Sequence, residues 1–545
     1  MKCFYLPLLR GARIMCGMSE LKTDNLPPSP PAAWQPTRRQ VLVVAIVVAI
    51  LYGIAVNDQW RPGNDSALYL SVGRNLARGQ GLTLQGGEGL SGGSPGLPIL
   101  IAVCFRLFGE TLWPINLLIS AMGYLAAVLA YRIARLDRSR RTALNVFLLT
   151  GLNVSLYVRS LSIESDVPAM FFMMAGLWCL LKFTRGSGWC LPVAVAMLLG
   201  LVGTRMVGAV IVVGLAAALL LERCGGLPRW KVWGGAAAVV SPLALAAVAA
   251  IVLGLSGTVG GGYGRALLGR LTESIPWEQF YANAFNELPS NCFRLLSGQT
   301  LPPLVSVPFV ALMCWGAATL LRRGRALIVL PVLLYVVVLL LIWGEPAARY
   351  LGLMLPLVVC LFLDGLEAAA DAVLSLWRRP SVAPMAVSII VAMLLAVNLP
   401  KVVREGLYLS HHPRFSELVE RGRIARWLPV VEYLKRQPMA ADEVVLTPEA
   451  SIVHWLSDKP TVEAADSPDT SLGPWRLTRD TIGCRHVRFV VVPRTRHENG
   501  LFHYIKRLNR KRWQTPALTT EHFEVFECLR GSFIYPPEDY PTPWL

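Results

Sequence analysis

Histidine is missing from the first 410 residues: all seven lie at or beyond His411. That stretch has no imidazole for a zinc site or for general-base work, so carboxylates must do such chemistry there. Charge is scarce as well. Only 16% of the 545 residues are charged against 54% hydrophobic, and mean hydropathy is +0.49, which excludes an ordinary soluble domain. No repeat with a period of roughly 20–50 residues is evident, which speaks against a solenoid. The eleven cysteines are scattered, and several fall inside apolar runs, where they act as small apolar side chains. Only Cys484 and Cys528, beside expected strands, are plausible disulfide partners.

What is present is a series of apolar runs of roughly membrane-crossing length. Spans are expected near 41–57, 112–134, 142–158, 167–183, 188–204, 206–222, 232–254, 303–321, 325–343, 348–372 and 383–399, about eleven in all. Two shorter apolar stretches, 65–79 and 96–109, read as helices lying along the interface. The positive-inside rule supports this count. It places Arg38 and Arg39, the arginine cluster 132–141, Lys182 and Arg185, Arg322, Arg323 and Arg325, and Arg378 and Arg379 on one side. The N-terminus is then cytoplasmic and the C-terminus outside. The net charge of +17 reflects topology and lipid headgroups rather than nucleic-acid binding.

Four pieces follow. Residues 1–40 form a Pro-rich, disordered cytoplasmic tail, with Met18 an alternative start to Met1. Residues 41–222 form a first transmembrane module carrying two acidic outer loops, and 223–400 a second helix set with a long outer loop at 255–302. Residues 401–545 read as a small soluble α/β domain, with helices near 422–437 and 448–456 and strands at 443–447, 486–493 and 522–528.

The chemistry-bearing residues gather on the outer side. Asp65 and Tyr69 stand one turn apart on an amphipathic segment and share a face. Asp65 could take a proton from a hydroxyl or cap the helix. Glu164 and Asp166 precede a helix with Pro168 in its first turn; they could share a divalent cation with a third acid or sit at a helix dipole. Arg349 and Tyr350 lie at the outer mouth of a span, where an arginine can fork onto phosphate or snorkel. Arg205, in a tight outer turn, breaks the charge rule. Asp364, Glu367 and Asp371 form a one-face stripe best read as a solvated helix end. The Gly-rich stretches 86–96 and 260–264 follow no strand and read as flexible loops.

In this order the motifs resemble the GT-C membrane glycosyltransferases, which include protein O-mannosyltransferases and aminoarabinose transferases. The resemblance rests on Asp65, Tyr69 and the following ARGQGL, on the Pro-x-x-Pro helix of Pro95 and Pro98 closing on Phe108-Gly109, on the acidic Glu164-Ser165-Asp166 and on Arg349-Tyr350 before a Pro. It covers roughly residues 41–400. Two departures stand out: Ser66 replaces a second acid, and Gly92, Gly93 and Ser94 stand where some relatives have a lysine.

The resemblance implies a GT-C-like polytopic α-helical protein of a bacterial inner membrane. Its substrates would be a polyprenyl-phosphate-linked sugar donor and a lipid, glycan or protein acceptor. Asp65 would be the base, with Glu164 and Asp166 beside it; Arg205 and Arg349 would hold the donor phosphate, with Tyr69 and Tyr350 lining the site. Relatives differ in metal dependence, so no cofactor is fixed and a divalent cation stays open. Competing readings are a lipid or small-molecule transporter, which would place ionisable groups or broken helices near mid-membrane, and a non-catalytic envelope assembly protein.

Overall fold

A computed structural model describes residues 35–61, 65–83, 94–222, 228–252, 277–343, 348–376, 383–411, 425–440, 443–447, 450–463, 486–493 and 516–527. Cys484 and Cys528 lie outside the described residues, as do most of both Gly-rich stretches.

The first part is helical throughout. Helices α1 (Arg38–Ile54), α2 (Ser66–Ala77), α3 (Gly96–Phe108), α4 (Trp113–Ala134), α5 (Arg140–Gly151), α6 (Val154–Ser160), α7 (Asp166–Phe183), α8 (Cys190–Thr204), α9 (Gly208–Leu221) and α10 (Arg229–Val252) follow one another. After them come α11 (Trp277–Ala282), α12 (Leu288–Ser297), α13 (Pro303–Arg322), α14 (Ala326–Val338), the single turn α15 (Ala348–Leu351), α16 (Leu355–Leu376) and α17 (Ala383–His411).

Among the described residues, five helical stretches are long and apolar enough to cross a membrane: Trp113–Ala134, Asp166–Phe183, Pro303–Arg322, Arg349–Leu376 and Ala383–Tyr408. Of the other expected spans, 232–254 coincides with the 24-residue α10, which carries Pro242 inside it, and the rest coincide with shorter or broken helices. The run 142–158 is not one helix. Asn153 ends α5 and begins α6: its side-chain oxygen accepts from the Ser155 and Leu156 amides at 3.0 and 3.2 Å. An Asn cap inside an apolar run restarts the helix in a new direction. Exposed Leu42, Val43, Ile46, Val47 and Ile50 form an apolar stripe along α1, as a lipid-facing surface requires.

Lipid tails are as apolar as leucine, so close packing rather than water exclusion must hold such helices together. The crossing of α13 and α16 shows how. Gly316 and Gly365 sit where a methyl group would overlap the Leu361 and Leu312 carbonyls. Gly96, at the start of α3, meets the end of α8 in the same way: an added Cβ would lie 2.6 Å from the Gly203 carbonyl group. That contact brings α3 beside Arg205, the residue closing α8.

The C-terminal part holds α18 (Leu428–Arg436), α19 (Ala450–Ser457) and strands β1 (Glu443–Thr447), β2 (Thr461–Glu463), β3 (His486–Pro493), β4 (Leu518–Thr519) and β5 (Phe523–Glu527). The strands make one mixed sheet in the order β2-β1-β3-β5-β4. β1 pairs in parallel with β2 and β3, while β5 runs antiparallel to β3 and β4. The β1–α19–β2 crossover is what a parallel neighbour demands. Trp427 stacks on Phe523 at 4.0 Å between ring centroids and shares a core with Val430, Leu434, Val445, Phe489 and Val525. The strands expected at 443–447 and 486–493 are there; β2 and β4, of three and two residues, are too short to carry a periodic signal.

Helix α19 faces two ways. Val453 packs into the sheet core, whereas Trp455 and Leu456 pack against the membrane-helix core. Trp455 stacks on Phe105 of α3 at 6.5 Å, meets Trp60 edge-on at 6.4 Å, and lies beneath the Arg74 guanidinium at 4.9 Å. Asp458 ends α19 in the left-handed region, at φ 57°, a conformation aspartate tolerates better than most residues. From there it pairs with Arg74 at 3.1 Å and Arg78 at 3.2 Å. Helix α2, expected over 65–79, is thereby covered by protein: Ser66, Ala67 and every residue from Tyr69 to Asn75 are buried.

A second correction concerns the acidic stripe on α16. Asp364 is not solvated. It is 2% exposed and its Oδ1 pairs with Arg138 and Arg323. Glu367 pairs with Arg138 at 3.4 Å and accepts from Thr142 at 2.7 Å. Asp371 alone is exposed. The arginines come from distant turns, so helical spacing could not reveal the pairing.

Candidate active site

Asp65 occupies the N-cap position of α2, but its carboxylate caps nothing. Only its backbone carbonyl serves the helix, accepting from the Tyr69 amide at 3.1 Å. The carboxylate instead accepts from Arg349 Nη2 at 2.6 Å through Oδ2. Oδ1 has no hydrogen-bond partner among the described residues, and the side chain is 43% exposed. One oxygen is thus oriented by a cation and the other open.

Asp166 is the opposite case. It opens α7 and is 1% exposed. Arg159 Nη1 donates to Oδ2 at 2.9 Å, Arg349 Nε stands 3.5 Å from the same oxygen, and Arg205 pairs with Oδ1. Three guanidiniums therefore converge on one buried carboxylate, and Arg349 bridges Asp166 to Asp65. A buried ion survives only when partnered this fully.

Glu164, two residues earlier, is half-buried and makes no ion pair within 4 Å among the described residues; its charge acts on Arg159 and Arg349 through space. The acidic loop thus does not present the open carboxylate pair that a divalent cation needs, because arginine occupies both oxygens of Asp166. Among the described residues no group of three or more His, Cys, Asp or Glu side chains is arranged to hold a metal ion.

Tyr69 lies a turn beyond Asp65 and reaches across to α7, its hydroxyl 3.2 Å from Ser165 Oγ. Burial raises its phenol above the ordinary value; the nearby Asp65 charge also raises it, while Ser165, Arg205 and Arg349 oppose the shift. Tyr69 is therefore a neutral hydroxyl at physiological pH. Tyr350 lies under the Arg205 guanidinium, 5.6 Å from cation to ring centroid, an arrangement that orients the cation. The single turn α15 that carries Arg349 and Tyr350 is pinned through its backbone. Arg159 donates to the Arg349 carbonyl at 3.0 Å and Tyr335 to the Tyr350 carbonyl at 2.9 Å.

The candidate catalytic and phosphate-binding residues Asp65, Tyr69, Asp166, Arg205, Arg349 and Tyr350 thus gather in one region, with Glu164 set apart from direct pairing. Arg159 was not among them. The signal was available: it follows the expected span 142–158 and, on the expected topology, breaks the charge rule as Arg205 does. Arg61, an arginine four residues before Asp65, is not free to join the cluster. It is 5% exposed and donates to the Ala55 and Leu161 carbonyls, closing the turn between α1 and the loop before α2.

Residues 93–252 match the family described as Dolichyl-phosphate-mannose-protein mannosyltransferase, a segment containing Arg159, Asp166 and Arg205. No curated protein matches the chain by sequence. Solved structures do match in fold. ArnT from Cupriavidus metallidurans bound to undecaprenyl phosphate aligns with a TM-score of 0.56 and 13% identity, over 90% of this chain and 98% of that one. The archaeal oligosaccharyltransferase AglB from Archaeoglobus fulgidus, in complex with an inhibitory peptide and a dolichol-phosphate, aligns at 0.54 and 12%, over 83% and 69% respectively. The fold is that of the GT-C membrane glycosyltransferases.

Proposed function

We propose that this protein is a membrane glycosyltransferase that moves a sugar from a polyprenyl-phosphate donor to an acceptor hydroxyl or amine at the outer face of the membrane. The observation that carries this reading is the Asp65–Arg349–Asp166 bridge, a half-open carboxylate tied to a cluster of cations. The donors and lipid phosphates named with the similar folds are of the same chemical class. A transporter or an assembly protein has no comparable need for one exposed carboxylate held beside three arginines.

In the proposed reaction the acceptor enters beside Asp65 Oδ1 and its oxygen or nitrogen attacks the anomeric carbon. The bond from that carbon to the phosphate oxygen breaks, its electron pair passing to the phosphate, while the acceptor's proton passes to Asp65. A lipid phosphate is already a good leaving anion, so it needs charge stabilisation rather than an acid. Arg205 and Arg349 supply that charge, and Asp166 keeps both in place. A single displacement of this kind inverts the anomeric centre. No step is routed through a metal. Tyr69 and Tyr350 line the site, and α19 of the C-terminal unit packs beside it on Trp60 and Arg74.

The test is release of lipid phosphate from a lipid-linked sugar by the purified protein. Wild type should release it in the presence of acceptor. Asp65→Asn, which keeps the shape and the Arg349 contact, should lower turnover about a hundredfold, the usual scale for losing general-base help. Turnover within about twofold of wild type would end the assignment.

A further inference from the structure

The other end of the bundle holds a second polar centre. Asp364 lies 15 residues beyond Arg349 on nearly continuous helix, about 22 Å along the axis at about 1.5 Å per residue, so it approaches the opposite membrane face. There a cavity of about 390 Å³ opens between the ends of α4 and α13 and the sides of α5, α14 and α16. Its charged lining is Asp137, Arg138, Arg323, Arg325, Asp364 and Glu367, three cations and three anions.

Most of these charges are spent on one another. Arg325 joins Asp137 at 2.6 Å and Glu222 at 3.3 Å, and Arg138 holds Asp364 and Glu367. Two groups are not. Asp364 Oδ2 is buried with no hydrogen-bond partner among the described residues, on a side chain 2% exposed. Arg323 makes one bond, from Nη1 to Asp364 Oδ1 at 3.3 Å, and its side chain is 56% exposed. The unmet acceptor lies deep and the unmet donors at the mouth. A buried charged acceptor without a donor carries the full desolvation cost of the group.

The pattern selects among ligands. A bare cation at Asp364 would face the Arg138 and Arg323 guanidiniums, and a bare anion at Arg323 would face Asp364 and Glu367. A molecule carrying both signs meets both groups. An ammonium is donor-only, with three N–H bonds, and a phosphate matches the arginine fork. Basic pockets between membrane helices at headgroup depth bind anionic lipid headgroups; this cavity, with equal numbers of each sign, calls for a headgroup that carries both.

We propose that this cavity binds a phosphoethanolamine group, its primary ammonium donating to Asp364 Oδ2 and its phosphate lying on Arg323 at the mouth. The site is distinct from the candidate active site and independent of the reading given to it. A fully methylated ammonium has no N–H and leaves Asp364 unmet, so phosphocholine is excluded; a glycerol headgroup brings no cation and is excluded too.

The experiment measures lipid retained by the full-length protein, by native mass spectrometry, after exchange into bilayers of phosphatidylethanolamine, phosphatidylcholine or phosphatidylglycerol. Wild type should retain phosphatidylethanolamine about tenfold better than either alternative. Arg323→Gln, at an exposed side chain where folding is not at stake, should remove most of that preference. Asp364→Asn should remove the discrimination against phosphatidylcholine in particular. Soluble phosphoethanolamine added in competition distinguishes the sources: displacement of the lipid assigns the site to the headgroup alone, and failure to displace assigns it to the intact lipid. Equal retention of all three lipids by wild type, or an unchanged preference in Arg323→Gln, would overturn the proposal, as would stoichiometric binding of a divalent cation in the lipid's place.

Discussion

Replacing Asp166 with Asn separates the two carboxylates of the candidate active site. The change keeps the side chain's size and removes one negative charge that is 1% exposed and faces Arg159, Arg205 and Arg349. Three guanidiniums are then left crowded, with only Asp65 and the unpaired Glu164 to offset them. Breaking a buried ion pair by removing one partner costs about 3–5 kcal/mol, because the remaining charge stays buried. The same change at Asp65 removes a pair whose carboxylate is 43% exposed, worth at most about 1 kcal/mol. The expected outcome is therefore a dissociation of effects. Asp166→Asn should unfold far more readily in a denaturant titration of the detergent-solubilised protein and should lose donor binding with it. Asp65→Asn should unfold like wild type while losing turnover. An Asp166→Asn protein within about 1 kcal/mol of wild type would show that the arginines do not depend on Asp166 for their positions, and the account of the clamp would fail.

Arg349→Lys preserves the charge but cannot bridge Asp65 and Asp166 at once, so donor KM should rise about tenfold or more with the protein still inserted; donor kinetics in detergent test this. Docking of α19 should weaken in acid. The buried ring of His454 is 2.8 Å from the Lys459 carbonyl through Nδ1 and, among the described residues, has no partner for Nε2. Burial, first, and the neighbouring Arg74 and Arg78 hold its pKa down to about 4, against the opposing Lys459 carbonyl and Asp458. The unfolded or undocked state thus binds the proton more readily. Stability is fully present above about pH 6.5 and declines as pH falls toward 4, by at most about 3 kcal/mol at about 1.4 kcal/mol per pH unit; protease sensitivity of the C-terminal unit across that range checks it, and His454→Gln should flatten the profile. A reporter fused at residue 138 should be cytoplasmic and one at 470 external, and the reverse at either position would exchange the two polar centres between membrane faces.

The helical, membrane-embedded character of the chain was legible without coordinates, because span length and apolarity are local properties. So were β1 and β3, whose runs are long enough to read, and the candidacy of Asp65, Asp166, Arg205 and Arg349, which stood out as charges where a membrane protein otherwise avoids them. Their roles relative to one another were not legible. Asp65 and Arg349 are 284 positions apart, and no local pattern tells that their side chains meet while Asp65 leaves its own helix uncapped. Nor could spacing distinguish Asp166, enclosed by three arginines, from Glu164 two residues away, or show that Arg159 completes the cluster. The break at Asn153, the covering of α2 by α19 and the burial of Asp364 belong to the same class. Each depends on which distant side chain satisfies a polar group, and in a low-dielectric interior that choice is made only when the helices pack.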